Sequence, residues 1–115
     1  MIVVLIRHSQ SMNNHLASTE LNNYDELRRE DPELSQKGID EMKVLGKFFK
    51  DEGIIFDRYF CSPFYRAIMS TKILLESMGK STDSVEISVP IHEYGGCNMK
   101  GKGYPGKSRS FVMDD

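Results

Sequence analysis

The run Ile2-Val3-Val4-Leu5-Ile6 constrains the fold more than any other stretch of the chain. Five apolar residues, four of them β-branched, read as a strand covered on both faces. That is the state of strands in parallel sheets flanked by helices. The sequence then changes character at once, to Arg7-His8-Ser9-Gln10-Ser11-Met12-Asn13-Asn14. Open α/β sheets bind ligands beyond the carboxyl ends of their strands, so Arg7 and His8 are candidate site residues. Arginine offers a permanent cation whose fork matches phosphate, and an imidazole nitrogen can attack phosphorus.

The rest of the chain alternates in the same manner. A short helix is expected over residues 8–17, then a polar stretch without a clear period over 18–31. Leu34-Ser35-Gln36-Lys37-Gly38 leads into a helix whose apolar residues Ile39, Met42, Leu45, Phe48 and Phe49 recur three and four apart. Ser35 is its natural N-cap and Gly53 its stop. Phe56–Cys61 reads as a second strand. Ser62-Pro63 opens another helix, striped by Ala67, Ile68, Thr71, Leu74, Leu75 and Met78 and ended by Gly79. Val85–Ile91 has the period of a third strand, and 93–115 is glycine-rich with little pattern. Strands separated by helices imply parallel pairing through crossovers. Arg7-His8, Ser62 to Arg66 and His92-Glu93 each follow a strand, so parallel pairing gathers them at one rim of the sheet. Phosphoryl transfer needs little more than such a rim: cations for the equatorial oxygens, an in-line nucleophile and an acid for the leaving oxygen.

Composition narrows the partners. The 115 residues allow one domain with one modest core. At 39% apolar residues with both signs of charge interspersed, the chain is expected to fold. A net charge of −2 gives no broad basic surface for nucleic acid, so any anion site must be local. No apolar run is long enough to span a bilayer and no secretory signal opens the chain, so no membrane partner is expected and the setting is cytoplasmic. Cys61 and Cys97 lack the paired spacing of a zinc site or a disulfide framework. Neither a metal nor a cofactor is expected.

Four stretches together resemble the histidine phosphatase superfamily, the phosphoglycerate-mutase-like group. Arg7 to Asn14 is similar to the family's Arg-His-Gly-Glu-Ser-x-x-Asn opening, and Leu34 to Gly38 to its Leu-Thr-x-x-Gly helix start. Ser62 to Thr71 is similar to its Ser-x-x-x-Arg-Ala-x-x-Thr segment, with one extra residue before Thr71. Ile91-His92-Glu93-Tyr94-Gly95-Gly96 is similar to its Leu-x-Glu segment followed by glycine. The resemblance implies a three-layer α/β fold on a parallel sheet, with residues 1–115 as a single, incomplete domain truncated after the third strand and its loop. It implies that His8 is the nucleophile and forms a phosphohistidine without metal, that Arg7, Asn14 and Arg66 bind phosphoryl oxygens, and that Glu93 is the proton donor. The implied partner is a phosphorylated small molecule or phosphoprotein.

There are departures from the family pattern. Ser9 stands where the family has glycine and Gln10 where it has glutamate. The family's second histidine, supplied late in a longer chain, has no evident counterpart in His15 or His92. A phosphate-pocket module without catalysis is therefore the competing expectation. Hydrolysis is favoured over mutase chemistry because the chain has no tryptophan, whereas the relevant mutases carry a Gly-Trp segment soon after the opening motif.

Two motifs point elsewhere and are set aside. Gly101 to Ser108 fits the P-loop pattern, but no buried strand precedes it and no full helix can follow it. Nucleotide binding there is a distant third reading. Cys61 to Arg66 is similar to a cysteine phosphatase loop, but its cysteine and arginine stand one residue too close, and it lacks glycines whose amides would wrap a phosphate.

Overall fold

The computed structural model describes residues 1–19 and 31–91. Helix α1 spans Met12–Thr19, α2 Gln36–Asp51 and α3 Tyr65–Ser77. Strands β1 (Tyr59–Cys61) and β2 (Val85–Ile87) pair in parallel, with Tyr59 opposite Val85 and Cys61 opposite Ile87. Helix α3 forms the crossover that a parallel pair requires. The expected α/β class with a parallel sheet is therefore present.

Both long helices stop where their glycines stand, for a reason visible in the hydrogen bonds. Gly53 and Gly79 adopt φ of 66° and 74°, a conformation that costs other residues a clash at Cβ. Ile54 N then donates to Phe49 O (2.9 Å) and Gly53 N to Lys50 O (3.2 Å). At the end of α3, Lys80 N donates to Leu75 O (2.8 Å) and Gly79 N to Glu76 O (3.0 Å). Each set is a Schellman closure of the last turn. At the start of α2, the Ser35 hydroxyl accepts from Gly38 N at 3.1 Å, the expected N-cap.

The core lies between α2, α3 and the two strands. Met42 and Phe49 from α2 meet Ile68, Leu74 and Leu75 from α3, and Cys61 and Val85 close it from the strands. Full burial of Ile68, Leu75 or Val85 stabilises by about 1.5–3 kcal/mol each. The two helices approach closely at Gly46, where a Cβ would lie 2.8 Å from Leu74 O and would overlap the Cβ of Ser77. Phe49, Phe56 and Tyr59 extend the core in edge-to-face pairs, with ring centroids 5.3 and 6.0 Å apart. No helix among the described residues is long and apolar enough to cross a membrane.

The first expected strand is the main correction. Ile2–Ile6 forms no strand and no ladder with any described strand, and Ile2 and Leu5 are each 91% exposed. Alternate side chains Val4 and Ile6, followed by His8, face a cavity of about 200 Å³ whose other walls include Phe60 and Cys61 of β1. A ladder needs backbones about 4.8 Å apart, and the segment shares this cavity with β1 in place of hydrogen bonds. The other expectations need smaller adjustments. The second and third strands are three residues each, and α1 begins at Met12, four residues later than its sequence range. Phe48, placed on the inner stripe of α2, is half exposed.

Candidate active site

The turn between Ile6 and α1 owes its shape to a set of local hydrogen bonds. Ser11 Oγ accepts from Asn14 N and Asn14 Oδ1 accepts from Ser11 N, both at 3.1 Å. This reciprocal pair is a capping box with asparagine in the role usual for glutamate, and it starts α1. Just before it, Ser11 bridges Leu34 in antiparallel fashion: Met12 N donates to Glu33 O (2.8 Å) and Ser35 N to Gln10 O (2.9 Å). The Gln10 Oε1 accepts from Ser35 Oγ at 2.7 Å. Gly38 makes this approach possible, since a Cβ there would overlap Gln10 O and lie 3.1 Å from Gln10 C and N. The loop carrying His8 is thereby seated on the first turn of α2.

Ser9 holds the loop from inside. It is buried, and its hydroxyl donates to Gly38 O at 2.6 Å. Its amide donates to Ser70 Oγ of α3 at 3.4 Å, and Ser70 donates its own proton to Arg66 O at 2.8 Å. The serine in place of the family's glycine is thus accommodated, with its polar group satisfied. His8 itself is half-buried, and its Nδ1 lies 2.6 Å from Ser9 O. A carbonyl oxygen can only accept, so Nδ1 carries the proton and, in the neutral ring, Nε2 carries the lone pair.

Arg66 is 6% exposed in the first turn of α3, its guanidinium 5.1 Å from the centroid of the Phe64 ring. Phe64, the N-cap of that helix, has no side-chain acceptor, and Asp31 supplies one from elsewhere in the chain: its Oδ1 accepts from Tyr65 N at 2.7 Å. A carboxylate at this end also complements the helix dipole. Ser62, directly after β1, and Ile91, four residues beyond the end of β2, line the same cavity as His8, whereas Arg66 is not among the residues that line it. Arg7 and Asn14 are exposed. Glu93 and His92, together with Gly101 to Ser108, lie outside the described residues.

Cys61 lines this cavity too. Burial pushes its thiol above the ordinary value of 9.0, against a smaller opposing effect of the Thr71 hydroxyl 3.1 Å away. A thiol held protonated is a poor nucleophile, which separates Cys61 from the chemistry open to His8.

Two contributors escape a reading by spacing. Ser70 stands four residues after Arg66, in the threonine position of the motif, so no extra residue is needed. The Thr71 hydroxyl points instead to Ala67 O and Cys61 Sγ. Serine and threonine offer the same hydroxyl, and counting from Arg66 would have found it. Asp31 reaches α3 from 34 residues away, which no local pattern reveals.

Comparison with known proteins places the chain in a family. The model of the histidine phosphatase superfamily (branch 1) matches residues 3–104. A 2,3-bisphosphoglycerate-dependent phosphoglycerate mutase of Afipia carboxidovorans is 34% identical over 92 residues, covering 80% of this chain and 41% of the relative. Proteins of the same name from Streptococcus thermophilus and Streptococcus sanguinis are 38% identical over 74 residues, covering 63% of this chain and 32% of theirs. The chain spans less than half the length of these relatives. It belongs to the histidine phosphatase superfamily, a superfamily of phosphoryl-transfer enzymes.

Proposed function

We propose that the protein is a phosphomonoester phosphatase working through a phosphohistidine at His8. The observation that carries this reading is the 2.6 Å contact of His8 Nδ1 with Ser9 O, which leaves Nε2 as the nucleophilic nitrogen. In the first step the Nε2 lone pair forms a bond to phosphorus while the ester P–O bond breaks. Its electron pair stays on the leaving oxygen, which takes a proton from Glu93. In the second step water attacks phosphorus, the N–P electron pair returns to Nε2, and the water's proton goes to the Glu93 carboxylate. Arg66, with Arg7 and Asn14, offsets the charge on the phosphoryl oxygens, where a buried guanidinium acts most strongly. No step calls for a metal.

Water as the acceptor is supported by the lack of tryptophan in the chain; the names of the relatives support a second phosphorylated metabolite as acceptor. Replacing His8 with Ala in the intact protein is expected to abolish release of nitrophenol from p-nitrophenyl phosphate. Unchanged release removes the proposal. Interconversion of phosphoglycerates without net orthophosphate release would make the protein a mutase. A pocket that binds orthophosphate but never becomes labelled at His8 would make it a binding module.

A further inference from the structure

We propose that Ser70, acting through Ser9, is a positioning residue that keeps His8 in register with Arg66. The inference rests on the phosphohistidine reading and names what holds its nucleophile. Ser9 uses all three of its polar groups on three different partners. Its amide meets Ser70 Oγ on α3, its hydroxyl meets Gly38 O on α2, and its carbonyl meets His8 Nδ1. The imidazole therefore takes its orientation from a residue fixed by two helices. Ser70 is the member that also touches the turn carrying Arg66, because its hydroxyl donates to Arg66 O.

A helical serine often returns its hydroxyl to the carbonyl four residues earlier, and that bond alone has no functional content. Two observations go further. Ser70 is 5% exposed and also takes the amide of a residue 61 positions away. It lines the cavity that His8 faces. A single hydroxyl thus ties the loop bearing the nucleophile to the helical turn bearing the guanidinium. Phosphoryl transfer is sensitive to such register, and a displacement of about 1 Å can cost about a hundredfold in rate.

The test compares Ser70→Ala, Ser70→Val and Ser70→Thr in the intact protein, with His8→Ala as reference and thermal unfolding followed in parallel. Single-turnover labelling of His8 by p-nitrophenyl phosphate at saturation is expected to slow by about tenfold or more in the alanine and valine variants. Orthophosphate affinity should stay within about twofold of the unmodified protein, and Ser70→Thr should restore the rate. Heteronuclear NMR of the His8 ring should show the Nδ1–H tautomer losing dominance in Ser70→Ala. Wild-type labelling rates in both hydroxyl-free variants overturn the inference, as does a rate loss that the threonine variant fails to rescue. Labelling that survives His8→Ala overturns the phosphohistidine reading itself.

Discussion

Replacing Gly38 with Ala tests whether the seat of the His8 loop on α2 is as tight as the geometry requires. The new Cβ would overlap Gln10 O and lie 3.1 Å from both Gln10 C and N. Carbon atoms are comfortable at about 3.5–4.0 Å, so the loop must retreat by roughly 1 Å. Backbone does not yield as the end of a long side chain does, and overpacking of this kind costs about 1–3 kcal/mol. Retreat also strains two hydrogen bonds, Ser35 N to Gln10 O at 2.9 Å and Ser9 Oγ to Gly38 O at 2.6 Å. Each contributes about 1 kcal/mol. Against this, alanine gains about 1 kcal/mol of helix propensity over glycine in the first turn of α2. The balance is a loss of about 3 kcal/mol, read as a lower midpoint in urea at unchanged slope. Folded Gly38→Ala should also label His8 more slowly, because the loop that moves carries His8. Stability within about 0.5 kcal/mol of the unmodified protein, with unchanged labelling, would refute the reasoning.

Gly46→Ala makes the contrast: it introduces an overlap with Ser77 at the α2–α3 crossing, so it should lower stability by about 1–3 kcal/mol while leaving labelling per folded molecule intact. Ser11→Ala removes the acceptor for Asn14 N and should cost about 1 kcal/mol in urea unfolding, the usual worth of an N-cap. Cys61 supplies a pH dependence: its folded thiol titrates above the ordinary 9.0, so the unfolded chain releases this proton first as pH rises. Stability should be unaffected below that value and fall as pH climbs past it, and Cys61→Ala should lack that part of the decline in a urea series.

The local rules of the helices were legible in the sequence. Gly53, Gly79 and Ser35 act on their own neighbours, so their roles as stops and cap follow from residue type and position. The apolar spacing of Ile68, Leu74, Leu75 and Met78 placed the buried side of α3. Ile2–Ile6 shows where such reasoning stops. Its composition reports an affinity for burial, whereas a strand exists only when another backbone arrives to pair with it. The site divides in the same way. Arg7, His8 and Arg66 stood out by residue type, and Arg66 lies in the first turn of α3. Ser70 and Asp31 stayed hidden because their partners lie 61 and 34 residues away, and such contacts are fixed only when distant segments pack against α3. Ser9 looked like a departure from a pattern, and only the neighbouring Gly38 carbonyl shows how its hydroxyl is satisfied.

The central claim is that the Ser9 carbonyl holds the proton on His8 Nδ1 and presents Nε2 to phosphorus. Trapping the labelled intact protein in base, digesting it and locating the phosphoryl group by phosphorus NMR and mass spectrometry tests this directly. The account predicts an acid-labile, base-stable phosphoryl group on Nε2 of His8. A phosphoryl group on Nδ1, or on Cys61 or any other residue, would contradict it.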